Sequence, residues 1–230
     1  MDAENNDKII PVNSLMDTIC NSDLTAISSD IAEALLDQSL QEGIVHDVPI
    51  LGSLINILKV GRTIQDRIFL KKVLQFLHQL QDVPPDKRLR FSEQIANDPK
   101  FRERIGSNLI LWIQRLDDME KPNLLGRIFK AYIDGGIDYP TYEKLALAVD
   151  RVKIQSLNGL AEFYGKYDGT TYDSLSESKH NLPNDVIQDL IVSGLIDIRF
   201  MPSILTTSPN FDSGVTRIGK LFVEIALESP

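Results

Sequence analysis

The sequence predicts a mainly α protein, with a multi-helix N-terminal domain followed by a small α+β C-terminal domain. Three observations predict it. Apolar residues recur every three to five positions through most of residues 14–164, the spacing that lines one face of a helix. Start and stop signals punctuate that pattern at Pro84-Pro85, Asp98-Pro99 and Gly135-Gly136. The last 47 residues change grammar, with one strand-like alternation between two short helical stretches.

Taken in order, residues 1–12 are polar and are expected to be mobile. From Ser14 to Gln41, the residues Leu15, Ile19, Leu24, Ile27, Ile31, Leu35 and Leu36 trace one or two amphipathic helices, with Gly43 as the stop. After Pro49, the residues Ile50, Leu51, Leu54, Ile55, Ile57 and Leu58 surround most of a helix, which suits a core or lipid; the core is favoured. The stretch Arg62 to Leu80 carries the stripe Ile64, Ile68, Leu70, Val73, Leu74, Leu77 and Leu80. Pro84-Pro85 ends that helix and opens another near Asp86. Asp98 caps a third, with Pro99 at its first position, running to about Leu116 and burying Phe101, Ile105, Leu109, Trp112 and Ile113. Asp117 or Asp118 caps a fourth, from about Glu120 to Ile133, which Gly135-Gly136 closes.

A long helical pattern follows Pro140 through Leu145, Val149, Val152, Leu157 and Leu160 to about Tyr164. Residues 165–183 are rich in turn formers, so the domains are expected at 13–167 and 168–230. Beyond that, Asn184–Ser193 reads as a short helix ending at Gly194, and Leu195–Phe200 alternates like a strand. A loop rich in Pro, Ser and Thr follows, and Thr216 caps a last helix carrying Ile218, Leu221, Phe222 and Ile225.

Hydrophobic residues make up 43% of the 230 and charged residues 25%, which excludes a disordered or fibrous chain. The net charge of −9 argues against nucleic-acid binding through overall charge, but it is unevenly spread. Residues 1–50 hold one base and ten acids (−9), residues 51–130 hold 15 bases and nine acids (+6), and residues 131–230 hold eight and 14 (−6). The clusters Lys71-Lys72, Lys87-Arg88-Arg90 and Lys100-Arg102-Arg104 could bind phosphates, with Phe91 and Phe101 interleaved. The alternative is favoured: a solvated basic face, or one that docks the acidic N-terminal segment of its own or another copy.

Candidates for chemistry are few. His46, His78 and His180 stand in no metal-ligand spacing, and no glycine-rich phosphate loop or zinc-binding cysteine set occurs. Cys20 beside Ile19 reads as a small core residue, and a lone cysteine makes no internal disulfide. Asp117-Asp118 could be paired carboxylates, but starting a helix is a sufficient role for them. Ile133–Glu143 echoes half of an EF-hand loop, yet Lys130, Tyr132 and Thr141 fall where oxygen ligands belong, so a helix–turn–helix joint is expected. No cofactor or metal is therefore expected. The acidic N-terminus lacks the features of a signal peptide, and the cytoplasm is the default location.

Two stretches carry resemblances. Leu190-Ile-Val-Ser-Gly-Leu-Ile, a loop, and Val215-Thr-Arg-Ile-Gly-Lys-Leu-Phe together resemble the end of a winged-helix domain, with Gly194, Leu195, Ile196, Thr216, Gly219 and Phe222 matching. The helix before the wing offers Asp185, Gln188 and Asp189 and no Lys or Arg, so a protein-binding or structural winged helix is expected over a DNA reader. The block from Pro49 through Arg62 and Asp66 to Leu77 is similar to an uncharacterised family of bacterial helical proteins. That resemblance implies a stress or phage-defence setting and no site residues. The leading expectation is a non-enzymatic interaction or regulatory protein whose partner is another protein or a second copy of itself. Its candidate partner-binding residues are Lys71, Lys72, Lys87, Arg88, Arg90, Lys100, Arg102 and Arg104. A membrane-active effector inserting residues 48–60 ranks second, and a nucleic-acid-binding regulator third.

Overall fold

The structure, a computed structural model, describes residues 3–20, 64–165, 182–201 and 210–227. The expected helices over 21–63, with their stop at Gly43 and the apolar segment 48–60, lie outside the described residues, as do His46 and His180. The described residues are mainly helical, and the chain divides into two compact units, Met1–Asp138 and Tyr139–Pro230.

The first unit holds five α-helices among its described residues: α1 (Ala3–Cys20), α2 (Ile64–His78), α3 (Pro85–Asn97), α4 (Pro99–Arg115) and α5 (Lys121–Ile133). Residues 3–12, expected to be mobile, are the first half of α1, with Pro11 inside the helix. The helix is held through its second half, where Val12, Leu15, Met16 and Ile19 are buried against α3 and α4. The approach to α4 is close. A Cβ added at Gly106 would meet Val12 Cγ1 at 2.6 Å and Met16 Cγ at 2.9 Å, so only glycine permits this crossing.

Helix α2 lies on α5 and α4 and turns Leu70, Val73, Leu74, Phe76 and Leu77 inward. The expected stripe is thus correct only from Leu70 onward. Ile64 and Ile68 are 78% and 44% exposed, and the buried face of α2 begins at Leu70. Pro84 stands at the N-cap of α3 with Pro85 at its first position. Asp98 caps α4 by accepting a hydrogen bond from Phe101 N at 3.0 Å. Ile105, Leu109 and Ile113 are buried on α4 as expected, whereas Phe101 and Trp112 are only half-buried. At the start of α5, Asp118 Oδ1 accepts from Glu120 N at 2.8 Å, and Asp117 pairs with Lys121. The helix closes as a Schellman motif: Gly136 N donates to Ala131 O, Gly135 N donates to Tyr132 O, and Gly135 takes φ +80°.

An aromatic chain runs through the largely aliphatic core of this unit. Phe76, Phe91, Phe129 and Tyr132 form a chain of ring contacts with centroids 5.6–5.9 Å apart, the Phe91 pairs being edge-on. Each such pair adds about 0.5–1.5 kcal/mol beyond its buried area.

The second unit comprises α6 (Tyr139–Arg151), a 3-10 turn (Ile154–Ser156), α7 (Leu157–Gly165), α8 (Asn184–Val192), an antiparallel hairpin β1 (Ile196–Met201) and β2 (Asn210–Val215), and α9 (Arg217–Phe222), which runs into a π-helical turn (Val223–Leu227). The long helix read from Pro140 to Tyr164 is broken here. Lys153 takes an extended conformation, and Lys153 Nζ and Ser156 Oγ both reach Asp189 of α8 at 2.9 Å. Helices α6 and α7 thus belong with the C-terminal elements, and residues 166–181 of the expected boundary lie outside the described residues. Gly194, at φ +76°, ends α8 and admits β1, whose Ile196 pairs with Val215. Thr216 caps α9 by accepting from Gly219 N at 2.8 Å. The buried face after the cap is Gly219, Phe222, Val223 and Ala226, while Ile218, Leu221 and Ile225 are half-buried beside it.

Candidate functional site

The eight basic residues of the middle segment separate into an inner and an outer group. A helix leaves its last carbonyls without partners and places partial negative charge there, so a cation is the natural donor at that end. Three of the eight do this work. Arg88 is 3% exposed and donates from Nη1 to Ile19 O, at the end of α1, and from Nη2 to Leu80 O, just past α2, both at 2.7 Å. Lys72 is buried and donates to Leu116 O, the C-cap carbonyl of α4. Lys87 donates to Asp134 O, the C-cap carbonyl of α5, at 2.9 Å. Three cations therefore close four helix ends. Burial holds the Lys72 ammonium and the Arg88 guanidinium below their ordinary pKa ranges.

Arg102 joins the inner group, since its guanidinium meets the Asp17 carboxylate of α1 at 2.5 Å and its side chain is 24% exposed. Within the described residues, the acidic N-terminal segment does meet the basic middle, through Asp17 and the carbonyl end of α1. Cys20 closes the same junction: it is half-buried, and burial pushes its thiol up while Ser92 hydrogen-bonds it. Lys72 and Arg88, expected on a partner-facing surface, are interior instead, because their long apolar stems carry the charge to carbonyls that no water reaches.

The outer group is Lys71, half-buried on α2, and Arg90, Lys100 and Arg104, all exposed. Arg104 lies over the Phe101 ring, 5.1 Å from its centroid. Arg90 stands 4.0 Å from Asp86, with 73% and 61% of the two side chains exposed, a pairing of at most a few tenths of a kcal/mol.

One recess brings basic residues together. Lys87, Arg90, Phe91 and Gln94 stand at spacings of three, four and seven along α3, so they share one face. That face meets the end of α5, and between them lies a cavity of about 270 Å³ lined also by Tyr132, Ile133, Asp134 and Ile137. Burial pushes the Asp134 carboxyl above the usual carboxylate range, against the pull of Lys130 and Lys87. Its Oδ1 is buried and accepts no hydrogen bond among the described residues. Sequence reasoning missed Asp134 as a site residue; its place at a helix C-cap, where an acid is disfavoured, was the available signal.

In the second unit three of the six residues matched to the winged-helix pattern, Leu195, Thr216 and Gly219, meet at one atom. The Tyr164 hydroxyl donates to Leu195 O at 2.8 Å and accepts from Thr216 N at 3.0 Å. Gly219 lies so close that a Cβ there would overlap both Leu195 O and this hydroxyl. Asp189 is held by Lys153 and then Ser156, which keep its carboxyl below the usual range.

Among the described residues, no group of three or more His, Cys, Asp or Glu could hold a metal ion, and no helix is long and apolar enough to cross a membrane. No protein-family model, curated protein or solved structure matches the chain.

Proposed function

We propose that this chain is a non-enzymatic protein-interaction or regulatory protein that docks an acidic feature of another protein, or of a second copy, at the recess between α3 and the end of α5. The observation that carries the reading is the recess itself: about 270 Å³, with Lys87 and Arg90 on its wall. That volume falls below the range of about 300–1,000 Å³ usual for small-molecule sites and suits one or two side chains of a partner. The outer cations Lys71, Lys100 and Arg104 would supply steering charge. Nucleic acid is disfavoured, because Lys72, Arg88 and Arg102 of the three basic clusters are spent inside the fold.

The finer reading of the C-terminal unit as winged-helix-like belongs to the same proposal. It is supported by the order helix, hairpin, helix and by the joint at Tyr164, Thr216 and Gly219. In that reading α8 faces protein and not DNA through the exposed Asp185 and Gln188, while Asp189 is turned to Lys153 and Ser156 of its own unit.

The test is a photo-crosslinking amino acid placed at the exposed Gln94 in the full chain, irradiated in the cells that make it. A discrete adduct with one protein, or with a second copy, is expected. Irradiation that leaves only the uncrosslinked chain would overturn the proposal.

A further inference from the structure

Helix α1 meets the rest of the first unit as a ligand meets a groove. The aromatic chain of the core is built from α2, α3 and α5, and α1 adds no ring to it. Pro11 has no N–H to continue the helix ladder, so the part after it stands as a short helix of its own. That part buries Val12, Leu15, Met16 and Ile19 against α3 and α4, at spacings of three, four and seven. This is the anchor pattern by which an amphipathic helix lies in the groove of a separate protein. The groove supplies the matching features. Gly106 of α4 leaves room for Val12 and Met16, Arg102 meets the Asp17 carboxylate, and Arg88 donates to the carbonyl of Ile19. A helix this short is not stable alone in water, so it forms only with the groove that receives it. Residues 21–63 separate it from α2 in sequence, so its seat depends on these contacts and not on a short connection.

We infer that the groove between α3 and α4 is a binding site for an amphipathic helix of another protein, and that α1 fills it until such a helix displaces it. Helix α1 is the template for that ligand. Counted from Val12, the ligand carries apolar side chains at the first, fourth, fifth and eighth positions and an acid at the sixth. Arg102 reads the acid, Gly106 sets how closely the helix approaches, and Arg88 takes its last carbonyl. The site is separate from the recess beside α5 and does not depend on it.

The experiment adds a fluorescently labelled peptide of residues 3–20 to the full-length chain and follows its anisotropy. Met16→Asp in the full chain unseats α1 and opens the groove. That variant should bind the peptide at least about tenfold more tightly than the parent, whose own α1 competes. Arg102→Glu added to the same chain should weaken binding about tenfold. A peptide carrying Asp17→Arg should recover most of that loss, because the reversed pair restores the contact at the same register. Near-ultraviolet circular dichroism shows whether Met16→Asp folds. Where it does not, Asp17→Arg in the full chain takes its place, since that side chain is 71% exposed. No binding to the folded variant at about 1 mM peptide would overturn the inference. So would equal binding by parent and variant, or charge reversal that recovers nothing.

Discussion

Arg88→Ala should destabilise the first unit far more than any other substitution among the eight basic residues. The guanidinium is 3% exposed and makes two bonds of 2.7 Å, to the end of α1 and to the turn after α2. A hydrogen bond to a charged group contributes about 1.5–3 kcal/mol, so about 3–6 kcal/mol of interaction is removed and two carbonyls lose their donor. Relief of the buried charge offsets part of this, leaving a net loss of about 3 kcal/mol. With a urea slope of about 2 kcal/mol/M, the midpoint should fall by about 1.5 M. Arg88→Lys keeps the charge but cannot span both carbonyls, so it should lose about half as much. Amide exchange should quicken first in α1, which this residue ties to the rest of the unit. The assay is urea denaturation of the full chain followed by the fluorescence of its single tryptophan, Trp112, with Arg104→Ala as the exposed control. A loss below about 0.5 kcal/mol, the range of an ordinary surface change, would refute the capping role.

Other outcomes follow from the same geometry. Tyr164→Phe removes the hydroxyl that joins α7 to Leu195 and Thr216, and should cost about 1–3 kcal/mol with faster amide exchange in the hairpin. Gly219→Ala should fold poorly or not at all, because the added methyl meets a carbonyl and that same hydroxyl; a full near-ultraviolet circular dichroism signal would contradict this. Asp134 titrates above its unfolded value, so its ionisation weakens the fold: stability is fully present below the unfolded carboxylate pKa and declines as pH rises through the raised one. Asp134→Asn should therefore be at least as stable as the parent at pH 7 and lack that decline in a pH series of denaturation midpoints. Asp189 has the opposite sign, its stabilisation being present above its unfolded value and lost as pH falls through the depressed one, so Asp189→Asn should weaken the second unit at pH 7 and by progressively less as pH falls.

What could be read from the sequence was local. The cap at Asp98, the start at Pro84-Pro85, the closure at Gly135-Gly136 and the cap at Thr216 each depend on neighbours within a few residues, so composition and spacing are enough to find them. The roles of Lys72 and Arg88 depend on carbonyls 44 and 69 positions away, and a basic cluster in sequence does not show which of its members point inward. The same distance hid Tyr164, whose partners lie 31 and 52 positions on, although the residues it binds were singled out by their pattern. The periodicity of residues 140–164 is real, but it runs across a break at Lys153 that tertiary contact with Asp189 decides. Ile64 and Ile68 fit a helical stripe, yet burial depends on what faces them and not on spacing alone.

The central claim is that Lys72, Arg88 and Arg102 hold helices together while the recess meets the partner. Arg90→Glu in the chain carrying the Gln94 cross-linker tests it most directly, with adduct yield and denaturation midpoint measured on the same preparation. The account predicts that the adduct disappears while the midpoint moves by no more than the equivalent of about 0.5 kcal/mol. An adduct of undiminished yield in the folded variant would contradict it.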